Sequence, residues 1–238
     1  MKILITNDDS ISSPVLPLLI EWAMKHGEVT CVAPKVEQSG MSHAIDFTRL
    51  IEIKRVELVE GAECYSMDST PADCVRYAVL GMKLKPDLII SGINRGFNLG
   101  KDIVYSGTIG AIFEAARLGI RGVALSTDPK SFDSAVAALD PLAEFFRENR
   151  LLERGRIFNV NIPHTHNGEI RITRQGGIYF TDEFVSVGGD MYEQRGEMAK
   201  PDSTDPAFDT VAIAEGVISV TPLTSEKTDL ALFGEFYR

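Results

Sequence analysis

Short apolar runs alternate with helical patterns over roughly the first two thirds of the chain. Apolar runs bounded by turn residues predict buried strands at residues 2–6, 29–33, 87–90 and 123–126, and an alternating pattern predicts a half-exposed strand at 51–58. Helical spacing of apolar residues predicts helices at 14–25, 70–80, 108–118 and 134–149, the last bent at Pro141. Strands that alternate with helices indicate an α/β fold, with a mostly parallel sheet and helices on both faces.

The pattern changes after about residue 165. Short β-like stretches predict strands at residues 170–173, 178–180, 211–214 and 217–221, whereas residues 188–209 are polar and predict irregular structure. We therefore predict a single domain over residues 1–238. Its α/β core spans residues 1–165, and a β-rich C-terminal extension with an oligomerisation tail spans residues 166–238.

Composition and charge narrow the function classes. The 238 residues carry a net charge of −10 without a basic cluster, which argues against binding to a nucleic-acid backbone. Cys31, Cys64 and Cys74 lie in apolar stretches without a C-x-x-C pair, which indicates reduced core residues and a cytoplasmic protein. No apolar run approaches the ~18 residues of a membrane span, so we expect no membrane partner.

Two adjacent carboxylates, Asp8 and Asp9, directly follow the first predicted strand. Open α/β sheets bind ligands at the carboxyl ends of their strands, and Asn94, which follows another predicted strand, faces the same edge. Ser39 adds a hydroxyl from the loop after the second strand, although an ordinary loop serine is the alternative. An all-oxygen set with two carboxylates suits Mg²⁺ or Mn²⁺ and not zinc. Asp8 and Asp9 alone would equally suit an interaction with the dipole of the following helix.

A glycine-rich segment leads from this edge into the next predicted helix. Ser106, Gly107 and Thr108 open that helix, and the free N–H groups of a helix start form a binding site for anions. The preceding glycines allow the backbone to approach a ligand closely. We therefore predict a phosphate site at residues 106–108, with a flexible loop capped by Thr108 as the alternative.

Seven ordered motifs, spread over nearly the whole chain, resemble the SurE (survival protein E) family of 5′/3′-nucleotidases. They are ITNDD at residues 5–9, AP at 33–34 with EQSG at 37–40, TPADC at 70–74, PD at 86–87 with SGIN at 91–94, YSGT at 105–108, NVNIP at 159–163 and SVTPL at 219–223.

The resemblance implies a metal-dependent phosphatase that acts on nucleoside 5′- and 3′-monophosphates and on short polyphosphate. It implies one divalent ion per subunit, Mg²⁺ or Mn²⁺, bound by Asp8, Asp9, Ser39 and Asn94. Asp8, Asp9, Asn94 and Ser106 are then the expected catalytic residues, and Asn94, Ser106, Gly107 and Thr108 the expected substrate contacts. The family's sheet is Rossmann-like.

The resemblance also implies a homodimer or homotetramer in which the C-terminal segment is exchanged between subunits. The tail agrees, since large apolar residues in a terminal segment need a surface to cover them. They are Leu230, Leu232, Phe233, Phe236 and Tyr237.

The chain departs from the family's usual sequence at two positions, and two alternative functions remain. Ser10 and Ser69 stand where the family usually has glycine, and a positive φ at Ser10 would introduce strain of ~1 kcal/mol. A haloacid-dehalogenase-type phosphatase is one alternative, but it needs one residue between its two aspartates, and Asp8 and Asp9 are adjacent. A non-catalytic sensor of metal or nucleotide on the same fold is the other.

Overall fold

A nine-stranded, mostly parallel sheet organises the part of the chain that the structure, a computed structural model, describes, which is residues 1–154 and 156–236. The strand order is β3-β4-β2-β1-β5-β6-β7-β11-β8, and β9 and β10 form a separate hairpin. The strands are β1 (Lys2–Thr6), β2 (Glu28–Pro34), β3 (Ile53–Val56), β4 (Glu63–Met67), β5 (Leu88–Arg95), β6 (Arg121–Thr127), β7 (Ile157–Ile162), β8 (Ile170–Ile172), β9 (Phe180–Gly188), β10 (Met191–Met198) and β11 (Ile218–Leu223).

Helices cover both faces of this sheet. They are α1 (Leu16–Met24), α2 (Pro71–Arg76), α3 (Gly107–Arg117), α4 (Asp133–Glu148, containing Pro141), α5 (Leu151–Arg154), α6 (Asp209–Ala214) and α7 (Leu230–Phe236). A π-helical turn, Tyr77–Gly81, continues α2, and a 3₁₀ segment, Gly100–Tyr105, precedes α3. The predicted α/β fold, with a parallel sheet and helices on both faces, is confirmed.

Alternation along the central strands divides the core into two layers. Ile3 and Ile5 of β1 pack with the buried residues of α1 and α4, while Leu4 packs with those of α2 and α3 on the other face. On the first face Trp22 Nε1 donates to Asp140 Oδ1 at 2.7 Å and joins α1 to α4. Cys31, Cys64 and Cys74 are buried without a disulfide, as expected.

Two antiparallel pairs interrupt the parallel sheet at its sides. β3 pairs antiparallel with β4 at one end, and β11 pairs antiparallel with β7 near the other. Because β8 then pairs with β11, strands from the predicted extension continue the sheet of the core. Strands β4 and β7 are missing from the sequence predictions, and β5 is longer than predicted, so that residues 91–94 lie within it and not after it.

The sequence predictions fail most in the C-terminal third. Residues 211–214 form part of α6 and not a strand, because Gly216, with a φ of +70°, ends a helical turn in which Val217 N donates to Ala212 O. Residues 178 and 179 precede the strand that was predicted there, which begins at Phe180.

The polar segment 188–209 is also more regular than predicted. It contains β10, which pairs with β9 through a two-residue turn at Gly189 and Asp190; Gly189 and the preceding Gly188, which ends β9, both have positive φ. This hairpin and α7 are almost wholly exposed. Tyr237 of the predicted tail lies outside the described residues. Within the described ranges, no helix has the length and hydropathy that crossing a membrane requires.

Candidate metal and phosphate site

Asp8 and Asp9 lie at the carboxyl end of β1, each held by a different element. Asp8 is buried, and its Oδ1 accepts a hydrogen bond from Thr108 Oγ1 in the first turn of α3 at 2.6 Å. Asp9 is half-buried, and its Oδ2 accepts a hydrogen bond from the backbone N of Arg95, at the end of β5, at 2.9 Å. The two carboxylates therefore connect β1 to α3 and to β5.

Burial disfavours the charged form of both carboxylates, and nearby groups offset this effect only in part. Burial raises the pKa of Asp8 to about 6, Thr108 opposes the shift through its hydrogen bond, and the charge of Asp9 adds to it. The pKa of Asp9 is also raised, chiefly by burial and further by the nearby charge of Glu37, while the N–H and the charge of Arg95 oppose the shift. Within residues 1–154 and 156–236, neither carboxylate forms a salt bridge. A divalent cation would supply the missing positive charge.

The loop that carries Ser39 is fixed against this pair. Gln38 N donates to the backbone O of Asp8 at 2.8 Å, and Ser42 N donates to Tyr105 O at 2.9 Å. At Gly110 the loop backbone lies so close to α3 that an added Cβ would sit 2.1 Å from Ser42 O. Ser39 itself is exposed and donates its proton to Glu37 Oε1 at 2.6 Å, so its oxygen retains lone pairs for a cation.

Asn94 lies at the same edge, near the end of β5. Its Nδ2 donates to Gly96 O at 2.7 Å, which orients the amide and leaves Oδ1 available as an acceptor. No group of three or more His, Cys, Asp or Glu side chains suited to a metal occurs among the described residues. A cation site at this edge therefore depends on the neutral oxygens of Ser39 and Asn94, and the set of hard oxygen donors fits Mg²⁺ or Mn²⁺.

The start of α3 lies directly beside Asp8. Ser106 is the N-cap, and its Oγ accepts a hydrogen bond from Ile109 N at 3.2 Å, which leaves its own proton to donate. Gly107 packs so closely that an added Cβ would be 3.2 Å from Asp8 Cβ. Thr108 is fully buried, and its hydroxyl proton goes to Asp8 and not to an open cleft. The structure thus gives Thr108 a role toward Asp8 that the sequence interpretation did not assign.

The two serines at the family's usual glycine positions differ in the structure. Ser10 has a φ of +82°, so the condition for strain of ~1 kcal/mol is met there. Ser69 has no positive φ, and its hydroxyl donates to Asp73 Oδ2 at 2.7 Å, at the start of α2. Of these two serines, only Ser10, beside Asp9, strains the backbone by standing in place of glycine.

Sequence reasoning missed several polar residues at this edge. Glu37 contacts Ser39 and adds a third carboxylate beside Asp9. Asn98 forms hydrogen bonds with Ser126, Asn159 and Asn161. The motif at 159–163 is a signal for this cluster, because two asparagines on one face of a buried strand need polar partners.

Comparison with known proteins identifies the family of the chain. The family model described as survival protein SurE matches residues 3–182 of the chain. The chain belongs to the SurE family. The predicted membership is therefore confirmed.

Individual SurE relatives match the chain over nearly its full length. The 5′-nucleotidase SurE of Thermosipho melanesiensis is 37% identical over 94% of this chain and 91% of its own. That of Natranaerobius thermophilus is also 37% identical, over 98% and 96%. The crystal structure of the SurE protein from Aquifex aeolicus superposes with a TM-score of 0.79 at 30% identity, covering 99% of this chain and 98% of that one.

Proposed function

We propose that this SurE chain hydrolyses nucleoside 5′-monophosphates to nucleoside and phosphate, with one Mg²⁺ or Mn²⁺ bound by Asp8, Asp9, Ser39 and Asn94. The observation that carries the proposal is the buried Asp8 carboxylate, which lies beside Asp9 and is hydrogen-bonded to the helix start that would hold the phosphate. The predicted 5′-nucleotidase class is confirmed by the curated relatives of that name. Hydrolysis of 3′-monophosphates and short polyphosphate extends the proposal.

The residues of the chain have distinct parts in this reaction. When bound, the cation supplies positive charge that polarises the phosphoryl group and lowers the pKa of the attacking water. The Gly107 N–H and the Ser106 hydroxyl bind phosphoryl oxygens, and Thr108 holds Asp8 in its ionised form. The water oxygen forms a bond to phosphorus while the ester P–O bond breaks. The water gives up one proton and the leaving nucleoside oxygen takes up one, so that the products are the nucleoside and inorganic phosphate.

Phosphate release tests the proposal against the sensor alternative. We expect phosphate from 5′-AMP with Mn²⁺, none with excess chelator, and none from Asp8→Asn. Asp87→Asn is the control, because Asp87 accepts from Lys2 N at the opposite edge of the sheet and should leave the activity intact. Binding of Mn²⁺ and AMP without phosphate release would identify a sensor. Undiminished activity after complete demetallation would refute metal dependence.

We also propose that the chain forms a homodimer or homotetramer by exchanging its C-terminal segment. Helix α7 carries four large apolar residues that are 49–77% exposed on the single chain: Leu230, Leu232, Phe233 and Phe236. The two-stranded β9–β10 hairpin is also exposed to solvent. An isolated hairpin is marginally stable in water, so a partner surface would stabilise it. A cytoplasmic location completes the proposal, supported by the three buried cysteines without a disulfide.

A further inference from the structure

Two buried asparagines on β7 have no part in the proposed chemistry, yet both contact the edge where it would occur. Asn159 and Asn161 are 1% and 0% exposed and lie on the same face of the strand, two residues apart. Each donates its Nδ2 to the backbone O of Asn98, and both distances are 2.8 Å. Their side chains therefore converge on one peptide group of the turn that follows β5.

Asn161 engages this turn at two points. Its Oδ1 accepts from Asn98 N at 2.8 Å while its Nδ2 donates to Asn98 O, as the backbone of a neighbouring strand would. Asn159 Oδ1 also accepts from Asn161 Nδ2 at 3.3 Å. A carboxamide offers a donor and an acceptor together, whereas an ionised carboxylate of the same shape only accepts. The chemistry of the contact thus requires asparagine at 161.

The turn held in this way connects the two halves of the candidate site. On its N-terminal side it continues from the last two residues of β5. These are Asn94, the candidate metal ligand, and Arg95, whose N–H donates to Asp9. It ends at Gly100, where the 3₁₀ segment leads to the helix start at Ser106. Further contacts of the turn, Gly96 N to Thr127 O and Asn98 Nδ2 to Ser126 Oγ, reach β6 and not the site.

We propose that Asn159 and Asn161 are positioning residues of the nucleotidase reaction. They fix the backbone of Asn98, and through it the amide of Asn94 and the N–H of Arg95 that orients Asp9. Replacement of residues that orient metal ligands without contacting the metal commonly lowers metal affinity or activity by about 10- to 100-fold. The inference rests on the proposed function for its catalytic part, and on backbone order alone for its structural part.

Two variants and one matched control test this role. Asn161→Asp keeps the acceptor for Asn98 N but places a carboxylate oxygen against Asn98 O. Asn159→Ala removes the donor to Asn98 O and the weaker acceptor for Asn161 Nδ2, and it leaves both contacts of Asn161 with Asn98 in place. Thr127→Val is the control, because it removes a buried side-chain hydrogen bond to Ile162 O on β7. It keeps the backbone O of Thr127 that accepts from Gly96 N, and it leaves the contacts of Asn98 in place. The measurements are amide hydrogen exchange of residues 95–100 in metal-free protein, the Mn²⁺ dissociation constant, and kcat and KM for 5′-AMP.

We expect Asn161→Asp to accelerate exchange at residues 95–100, to weaken Mn²⁺ binding by about tenfold or more, and to lower kcat by about 10- to 100-fold. Asn159→Ala should show the same changes to a smaller extent, and it also serves if Asn161→Asp does not fold. Thr127→Val should leave all three unchanged. Unaltered exchange and Mn²⁺ affinity in a folded Asn159→Ala, or equal losses in Thr127→Val, would overturn the inference. An inactive wild type would refute the proposed function, while exchange and Mn²⁺ binding would still decide the positioning role.

Discussion

At the scale of single residues, the site is defined by a carboxylate whose ionisation is disfavoured by its burial in the fold. Asp8 has a pKa raised from 3.8 to about 6 because it is buried beside Asp9. A raised pKa means that the folded state binds this proton more tightly than the unfolded chain does. The protonated Asp8 carboxyl therefore contributes its full stabilisation of the folded state below about pH 4, and this contribution is lost as the pH rises through about 6.

The first prediction follows from this loss of stability with rising pH. Without metal, Asp8→Asn should be more stable than the wild type at about pH 8, by up to about 3 kcal/mol, and the difference should shrink toward about pH 5. Urea unfolding of both proteins in chelator at the two pH values measures it. Saturating Mn²⁺ should stabilise the wild type and leave the variant unchanged. A variant that is less stable at every pH would instead favour a structural role for this carboxylate.

The second prediction concerns Thr108, whose hydroxyl donates to Asp8. Thr108→Val preserves the shape of the side chain and removes the donor, so the pKa of Asp8 should rise further. Mn²⁺ binding should weaken by about tenfold near pH 6.5 and recover partly near pH 8, since a hydrogen bond to a charged group contributes about 1.5–3 kcal/mol. Titrations with Mn²⁺ at the two pH values test this, with Thr127→Val as the control. A uniform loss of affinity at both pH values would contradict it.

The candidate ligands were identifiable from the sequence because strand ends are read easily from apolar runs. Asp8, Asp9 and Asn94 each lie at the end of such a run, and parallel strands bring their ends to one edge. The partners of those ligands were not identifiable. The bond from Thr108 to Asp8 spans 100 residues, and the bond from Asn161 to Asn98 spans 63. Neither is encoded in local spacing, so both needed the three-dimensional structure.

At the scale of elements, two carboxylates, the buried Asp209 and the half-buried Asp102, join the 3₁₀ segment to the start of the β9–β10 hairpin. Asp209 accepts from Gly100 N, Gly176 N and Thr210 N at 2.7–3.0 Å, and Asp102 accepts from Tyr179 N and Phe180 N at 2.7–2.8 Å. The hairpin is thereby tied to the segment that leads to Ser106.

The third prediction is that Asp209→Asn loosens this connection. The amide NH₂ would face either Gly100 N or the pair Gly176 N and Thr210 N, all of which are donors, so the free energy of unfolding should fall by about 2–3 kcal/mol. Limited proteolysis should cut residues 176–200 sooner, and a thermal melt should report the stability. Asp205→Asn is the control, since Asp205 is a half-buried carboxylate that accepts from Ala207 N and pairs with Arg174 but has no contact with Gly100 or Gly176. Equal proteolysis of the two variants would contradict the prediction.

Local patterns predicted the elements of the core well and those of the C-terminal third poorly. Residues 211–214 are a short apolar run, and such a run fits a strand or a buried helical turn equally, so that Gly216 decides in favour of the helix. Both faces of the hairpin are exposed, and charged residues such as Asp182, Glu183 and Arg195 interrupt its apolar positions, so it lacks the regular alternation that marks a half-buried strand. The adjacent glycines Gly188 and Gly189 at its turn were the remaining signal.

At the scale of the whole molecule, the exposed C-terminal helix is the feature that a single chain leaves uncovered. Leu223 ends β11 and packs against the core cluster around Ile109, so a truncation should spare it. The apolar residues that need a partner begin at Leu230.

The fourth prediction is that deletion of residues 226–238 shifts the protein toward monomer or toward aggregates. Loss of an exchanged segment removes the partner contact and exposes the surface that received it. Light scattering coupled to size-exclusion chromatography measures the mass. As a comparison, replacing residues 181–197 by a short turn tests the hairpin separately. If the tail deletion remains a dimer of unchanged stability while the hairpin replacement dissociates, the hairpin and not the tail forms the interface.

The hydrogen bond between Trp22 and Asp140 gives the protein an optical reporter of its own folding. The chain has one tryptophan, and it lies beside Met1 at the amino ends of the strands, opposite the edge that carries Asp8. Its fluorescence should follow the separation of α1 from α4 and remain insensitive to a ligand at the other edge. Emission and phosphate release therefore record folding and chemistry independently in one sample.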